Sequence, residues 1–235
     1  MVMADPLAPG RGAGRDGNLV DLAYERIEEL IVLMQMAPGA RVVEHALVER
    51  LDIGRTPVRE ALLRLAADGL LVPAARRGLQ VCDLDFGLQF RVLEARRALE
   101  CVLVPAAARR RSPEEACEMR ALVASFRALS GSARSDELLR LDGRFVRLLL
   151  RLSGNPFLAR ILPLYSLSRR FWLAHRDLYL RQFRDETLTE FHIRIGEAVA
   201  EGDEAAARAE TEAFLTCVEA YTTYLGRELA GRERT

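Results

Sequence analysis

Lysine is absent from this chain: all 34 basic side chains are arginine, and 34 acidic residues bring the formal net charge to zero. Charge is not segregated either, since residues 1–82 carry 10 Arg against 11 acids and residues 83–235 carry 24 against 23. The basic domain that usually marks a nucleic-acid binder is therefore missing. Any case for DNA rests on where the arginines stand, not on how many there are. No apolar run approaches the ~20 residues needed to span a bilayer, which argues against a membrane partner. Met1 to Asp16 has no apolar h-region of the signal-peptide kind, so residues 1–18 are expected to be a disordered tail and the compartment cytoplasmic. The four cysteines (Cys82, Cys101, Cys117, Cys217) are scattered without a CxxC. That suggests neither a disulfide framework nor a zinc ribbon and leaves buried free thiols as the expectation. HExxH, Gly-rich phosphate loops and nucleophile motifs are missing too, and with them the usual grounds for an enzyme.

What the chain does have is the stretch from Asp52 to Leu65. Taken as a helix from Arg55, it puts Val58, Leu62 and Leu65 on one stripe at i, i+4, i+7 spacing. Arg55 and Arg59 share a different face, with Thr56 beside them. Pro57 falls in the first turn, where its missing N–H has no intrahelical partner to lose. One buried face with two guanidiniums near the N-terminus suits a major groove, where Arg reads guanine O6 and N7. The plain alternative is an amphipathic helix with two solvated arginines.

The flanks decide between them. Leu19 to Met36 reads as a first helix with Leu19, Ala23, Ile27, Leu30 and Met34 in a stripe, stopped by Ala37-Pro38-Gly39. A second short helix fits Glu44 to Leu51, and Asp52-Ile53-Gly54 is a tight connection, with Gly54 near the N-cap. Two helices joined this way form a helix-turn-helix. Leu70–Pro73 and Leu79–Cys82 then read as strands around a basic tip, Ala74-Ala75-Arg76-Arg77-Gly78, which completes a winged helix.

Pro38-Gly39, Leu47, Leu51, the run Gly54 to Leu62, Arg64-Leu65, Gly69-Leu70 and Arg77-Gly78 resemble the GntR-type transcriptional regulators over residues 19–82. Arg-Thr-Pro-Val-Arg-Glu-Ala-Leu is that family's signature. The resemblance implies base reading by Arg55 and Arg59, a backbone anchor at Thr56 and wing contacts at Arg77 and Gly78. It places His45 near a backbone-contacting position, although a solvated helix-end histidine is the simpler reading. One departure is Asp52-Ile53-Gly54 where relatives have Gly-Val-Ser. Losing a serine cap to glycine costs only about a few tenths of a kcal/mol.

Residues 83–235 read as roughly six helices with short loops, an antiparallel bundle of the kind that builds small-molecule sites in its core. Leu84 to Arg111 is one long segment interrupted by Pro105. Ser112-Pro113-Glu114-Glu115 is a capping box, Ser153-Gly154-Asn155-Pro156 joins two helices, and Asp203 caps the last. Glu94 to Glu100, Asp142-Gly143-Arg144-Phe145, Ser153-Gly154-Asn155, His192 and Glu201-Gly202-Asp203 resemble the FCD-type ligand-binding domain of the FadR-like branch. Many relatives hold a divalent metal there through one Asp and three His. Carried over, those positions are Asp142, Val146, His192 and Phe214, so two of the four ligands are replaced by apolar side chains. One Asp and one His fall short of the three protein ligands of an open zinc site. No cofactor is therefore expected, with zinc, nickel or manganese at a degenerate Asp142–His192 site as the exception. His175 matches no ligand position. Arg96 stands where the resemblance places a buried arginine facing an effector's carboxylate, or else it pairs with Glu100. The simpler reading of Asp142 and His192 is that they pair with each other.

The expectation is a mainly α protein in three parts. These are a tail (1–18), a winged helix-turn-helix with a β-hairpin wing (19–82) and an all-α FCD-type effector-binding and dimerisation domain (83–235). Its function would be that of a homodimeric repressor of palindromic double-stranded operator DNA. Its effector would be a small organic acid or acyl compound in a site of Arg96, Asp142, Val146, Asn155, His192 and Phe214. The alternatives are a regulator whose C-terminal domain only dimerises and an enzyme built on Asp142 and His192. The second leaves residues 19–82 unexplained.

Overall fold

A computed structural model describes residues 15–75, 78–130, 135–182 and 186–232. The chain divides at Asp83/Leu84 into two compact units. In the first, α1 (Arg15–Val32), α2 (Glu44–Leu51) and α3 (Arg55–Ala67) precede the antiparallel strands β1 (Leu71–Pro73) and β2 (Leu79–Val81). Ala23, Ile27, Ile31, Val58, Ala61, Leu65 and Leu70 are fully buried and bind α1 to α3. The stripe read from sequence is thus right in its middle and wrong at its ends. Helix α1 begins at Arg15, inside the stretch expected to be tail, and stops at Val32 rather than Met36. Met34 takes a left-handed conformation and the Met36 N–H turns back to the Leu30 carbonyl at 3.0 Å, so the chain leaves the helix before the Pro-Gly pair.

Helix α3 ends in a Schellman turn: the Leu70 N–H bonds the Leu65 carbonyl and Gly69, at φ +78°, bonds the Ala66 carbonyl. A β-bridge pairs Arg41 with Gln80, so the segment before α2 lies along the outer edge of β2. The sequence pattern did not show this pairing, because one residue pair carries no periodicity.

The second unit is helical: α4 (Phe86–Arg110), α5 (Pro113–Leu129), α6 (Ser135–Ser153), a 3-10 turn (Pro156–Arg160), α7 (Ile161–Ala174), α8 (Arg176–Gln182), α9 (Glu186–Glu201) and α10 (Glu204–Arg232). Helix α4 runs unbroken through Pro105, and its first turn is capped by the Asp85 carboxylate, which accepts from the Leu88 N–H at 2.5 Å. The Ser112–Glu115 capping box is present in both directions. Gly202 at φ +81° closes α9, and Asp203 next to it accepts from the Ala206 N–H to open α10. The short helix α8 had not been expected.

The core of this unit is built mainly from α4, α5, α6, α9 and α10, with Leu103, Met119, Phe126, Val199 and Leu215 fully buried. A Cβ at Gly196 would stand 2.5 Å from Val123 Cγ2, so glycine lets α9 lie close against α5. Among the described residues, no helix is long and apolar enough to cross a membrane. The four cysteines are free, but only Cys82 is buried. Cys101 and Cys217 are half-buried and Cys117 is exposed, against the expectation of buried thiols. The Gly131–Ser135 linker falls, apart from Ser135, outside the described residues.

Candidate nucleic-acid interface and ligand cavity

The first unit presents its arginines as the spacing predicts. Val58, Ala61, Leu62 and Leu65 anchor α3, while Arg55, Thr56 and Arg59 stand exposed on its N-terminal turns. The Arg55 Nε donates to Glu44 Oε1 at 2.6 Å, across the helix-turn-helix, and the guanidinium still remains largely exposed. His45 is exposed at the start of α2, 3.6 Å from Glu49. Gly78 leaves the wing tip at φ +89°. Arg77, the other wing residue, lies outside the described residues. Behind this face, Tyr24 donates to Asp68 at 2.8 Å and Arg64 donates to Asp21 at 2.6 Å, tying the C-terminal end of α3 to α1. Burial, then the hydrogen bond and charge of Asp68, push the Tyr24 phenol far above its ordinary pKa, so it remains a donor.

In the second unit a cavity of about 70 Å³ opens between α4, α6, α7, α9 and α10. Helical spacing explains its wall: Tyr165, Arg169 and Trp172 recur at i, i+4, i+7 on α7, and Phe214, Val218 and Tyr221 do so on α10. Arg96 from α4, Asp142 from α6, His192 from α9 and Phe214 from α10 all line it. Two expected residues do not. Val146 is buried in the apolar core and Asn155 caps the 3-10 turn, its side chain accepting from the Phe157 N–H at 3.1 Å. A helix-joining Ser-Gly-Asn-Pro needs that asparagine for the turn itself. His175 is also elsewhere, its Nδ1 on the Phe171 carbonyl and its ring against Phe86 and Phe171. Tyr165 and Trp172 were missed, and the i, i+4, i+7 set on α7 was the signal that could have found them.

Besides Gln89, which donates to Ser168 at 3.4 Å, two close pairs of ionisable side chains stand at the cavity. His192 Nε2 lies 2.7 Å from Asp142 Oδ1 and Nδ1 lies 2.6 Å from the Leu188 carbonyl. Both ring nitrogens therefore face oxygen acceptors, the Leu188 carbonyl on one side and the Asp142 carboxylate on the other. Phe126 stacks on this ring at 4.9 Å, and Phe145 and Phe214 meet it edge-on. Burial would raise the Asp142 pKa, but the His192 hydrogen bond and charge, with Arg169 and Arg96, hold it below the usual carboxylate range. Arg169 reaches Asp142 Oδ2 at 3.5 Å by crossing Gly143, where a Cβ would collide with its guanidinium.

The second pair is Arg96 Nε on Glu100 Oε1 at 2.6 Å, both fully buried. The guanidinium lies 4.0 Å over the Tyr165 ring. Burial works against the Arg96 charge, yet Glu100 more than offsets it and raises the pKa further. Both readings of Arg96 thus meet in one place, since it pairs with Glu100 and lines the cavity. Among the described residues, no group of three or more His, Cys, Asp and Glu is placed to hold a metal ion. Asp142 and His192 together are fewer than an open zinc site uses.

Comparison with known proteins agrees with both halves. Residues 19–81 match the gntR family of bacterial regulatory proteins and residues 91–216, more than half of the chain, match the FCD domain. The chain is 32% identical over 142 residues to the Nta operon transcriptional regulator of Aminobacter aminovorans, covering 60% of this chain and 67% of that one. It is 30% identical over 200 residues to an HTH-type transcriptional regulator in an unstable DNA locus of Streptomyces ambofaciens, covering 83% and 81%. In fold it resembles McbR/YncC of Escherichia coli, with a TM-score of 0.73 at 20% identity over 87% and 97% of the two chains. A signature recognition helix, a wing and an FCD bundle therefore have one explanation: the chain belongs to the GntR family, as a DNA-binding transcriptional regulator with a C-terminal FCD domain, and the domains and relatives it matches are those of regulators rather than enzymes.

Proposed function

We propose that the protein is a ligand-responsive repressor, working in the cytoplasm as a homodimer on a palindromic operator. The observation that carries the DNA half is the exposed turn of α3, where Arg55, Thr56 and Arg59 stand above a fully buried stripe. Two such helices related by a twofold axis enter successive major grooves. Arg55 and Arg59 read guanine edges, while Thr56, His45, Gly78 and Arg77 approach the phosphates. The effector half is supported by the Arg96-lined cavity. With Asp142 and His192 bound to each other, the effector is held without a metal ion. It acts on DNA affinity through its unequal affinity for the DNA-competent and DNA-free arrangements.

The test is selection of bound duplexes from a randomised pool, followed by titration of Arg55→Ala on the selected operator. Loss of about 1–3 kcal/mol, concentrated at one guanine per half-site, is expected. A uniform, salt-sensitive loss across sequences would remove the base-reading assignment. A second reading, in which the C-terminal unit serves dimerisation alone, is favoured by the small volume of the cavity, about 70 Å³. Any small molecule that changes operator affinity eliminates it.

A further inference from the structure

We propose that Leu63 is a further base-reading residue, its side chain packing on a thymine methyl in the major groove about two base pairs beyond the guanine read by Arg59. This rests on the reading of α3 as the groove-docked helix and adds a residue and a base to it.

Leu63 is 61% exposed, more than any other large apolar side chain among the described residues of the first unit. A single exposed leucine is ordinary on a protein surface; what is informative is where this one stands. At about 3.6 residues per turn, position 63 falls between Arg59 and Thr56 around the axis of α3. Diametrically opposite are Ala61 and Leu65, both fully buried. Leu63 therefore lies at the centre of the outward face, one turn beyond Arg59. The residue after it, Arg64, turns back to α1, where its guanidinium donates to Asp21 at 2.6 Å and lies 4.9 Å over the Tyr24 ring. At this level of the helix Leu63 is the side chain that faces out.

A leucine offers nothing to a phosphate. It has no donor, and burying a phosphate oxygen against it forfeits a hydrogen bond to water. In the major groove one apolar group is on display, the C5-methyl of thymine, and apolar side chains are its partners. Contact between the two removes the surface of both from water. The rise of the helix sets the register. From Arg59 to Leu63 is about 6 Å at ~1.5 Å per residue, against about 3.4 Å per base step. The methyl thus belongs about two base pairs from the Arg59 guanine, on the side away from the Arg55 contact.

The test uses the full-length protein and the selected operator, with each thymine replaced in turn by deoxyuridine, which removes only the methyl. One position per half-site should weaken binding roughly four-fold, the worth of one buried methyl-sized group. Leu63→Ala should lose a similar factor on the parent operator and nothing more at that position, so that the two changes together cost no more than either alone. Leu63→Met, apolar and of similar size, should keep the sensitivity to deoxyuridine. The absence of any sensitive position, or one that Leu63→Ala feels as strongly as the parent, would overturn the assignment. If no position responds while Arg55→Ala still loses a guanine preference, the Leu63 assignment fails and the groove reading stands. If Leu63 and a methyl are coupled while Arg55→Ala loses affinity uniformly, the arginine assignment fails and the methyl contact stands.

Discussion

Each unit of this protein contains an Arg–Glu pair made by the same two atoms at the same distance. Arg55 Nε meets Glu44 Oε1 at 2.6 Å in the first unit, and Arg96 Nε meets Glu100 Oε1 at 2.6 Å in the second. Their side chains are 82% and 29% exposed in the first pair but 3% and 2% in the second. Geometry therefore says nothing about what either pair is worth; the surrounding dielectric does. Exposed pairs are screened and contribute about 0–1 kcal/mol. A buried pair has already lost its hydration, and removing one partner strands the other charge. The first pair is suited to exchange its carboxylate for a base, and the second to hold one guanidinium rigid beside a cavity.

The sharpest way to break that contrast is Glu100→Ala. It leaves Arg96 charged and buried, and urea unfolding should show a loss on the order of 3–5 kcal/mol. Arg96→Met with Glu100→Leu should recover most of it, because no charge is then left without a partner. A loss under ~1 kcal/mol from Glu100→Ala would mean that water reaches the pair. Next in size is Gly196→Ala, which asks whether the α5–α9 approach that places His192 is as rigid as the buried pair. The added methyl would stand 2.5 Å from Val123 Cγ2 and 3.3 Å from Phe145. Overpacking of this sort costs about 1–3 kcal/mol, read again by unfolding, with the His192–Phe145 contact disturbed first.

Acid tests the other buried pair. The folded Asp142 carboxyl is held below its ordinary value, chiefly by His192 once burial is overcome. Its contribution to stability is fully present above the unfolded carboxylate value, near pH ~3.9, and drains away as pH falls through the folded one. Melting temperatures followed from pH 6 downward should fall less steeply in Asp142→Asn than in the parent over that window. Equal slopes would show that the carboxylate is not sustained by its neighbours.

The two units also differed in how much of them could be read in the sequence. Helix α2, the glycine N-cap of α3, the Ser112–Glu115 box and the Gly202-Asp203 joint follow from residues within a few positions of each other, and local chemistry is what a sequence displays. Asn155 and Val146 were assigned to the cavity by correspondence, but a turn and a core had prior use for them. Tyr165 and Trp172 line the cavity only because α7 packs beside α4 and α6, a long-range fact. The same holds for Arg41 against β2. The left-handed Met34 that cuts α1 short had no glycine or asparagine to announce it.

The smallest expected effect is the most informative about DNA. Glu44→Ala should change unfolding stability by no more than ~1 kcal/mol, since Arg55 is largely exposed. Its effect on binding should have two opposite parts. With Nε held by Glu44, the Arg55 Nη1 and Nη2 edge is left for a guanine; without Glu44 the guanidinium must be ordered on binding, which weakens the specific complex. Removing an acidic group beside the phosphates strengthens nonspecific association at low salt. The ratio of operator to nonspecific affinity should therefore fall several-fold, roughly 1 kcal/mol, less than for Arg55→Ala. An unchanged ratio would make Glu44 a resting partner that Arg55 leaves behind on binding. A fall as large as that from Arg55→Ala would make the exposed pair as rigid in function as the buried one, and the contrast between the two units would rest on stability alone.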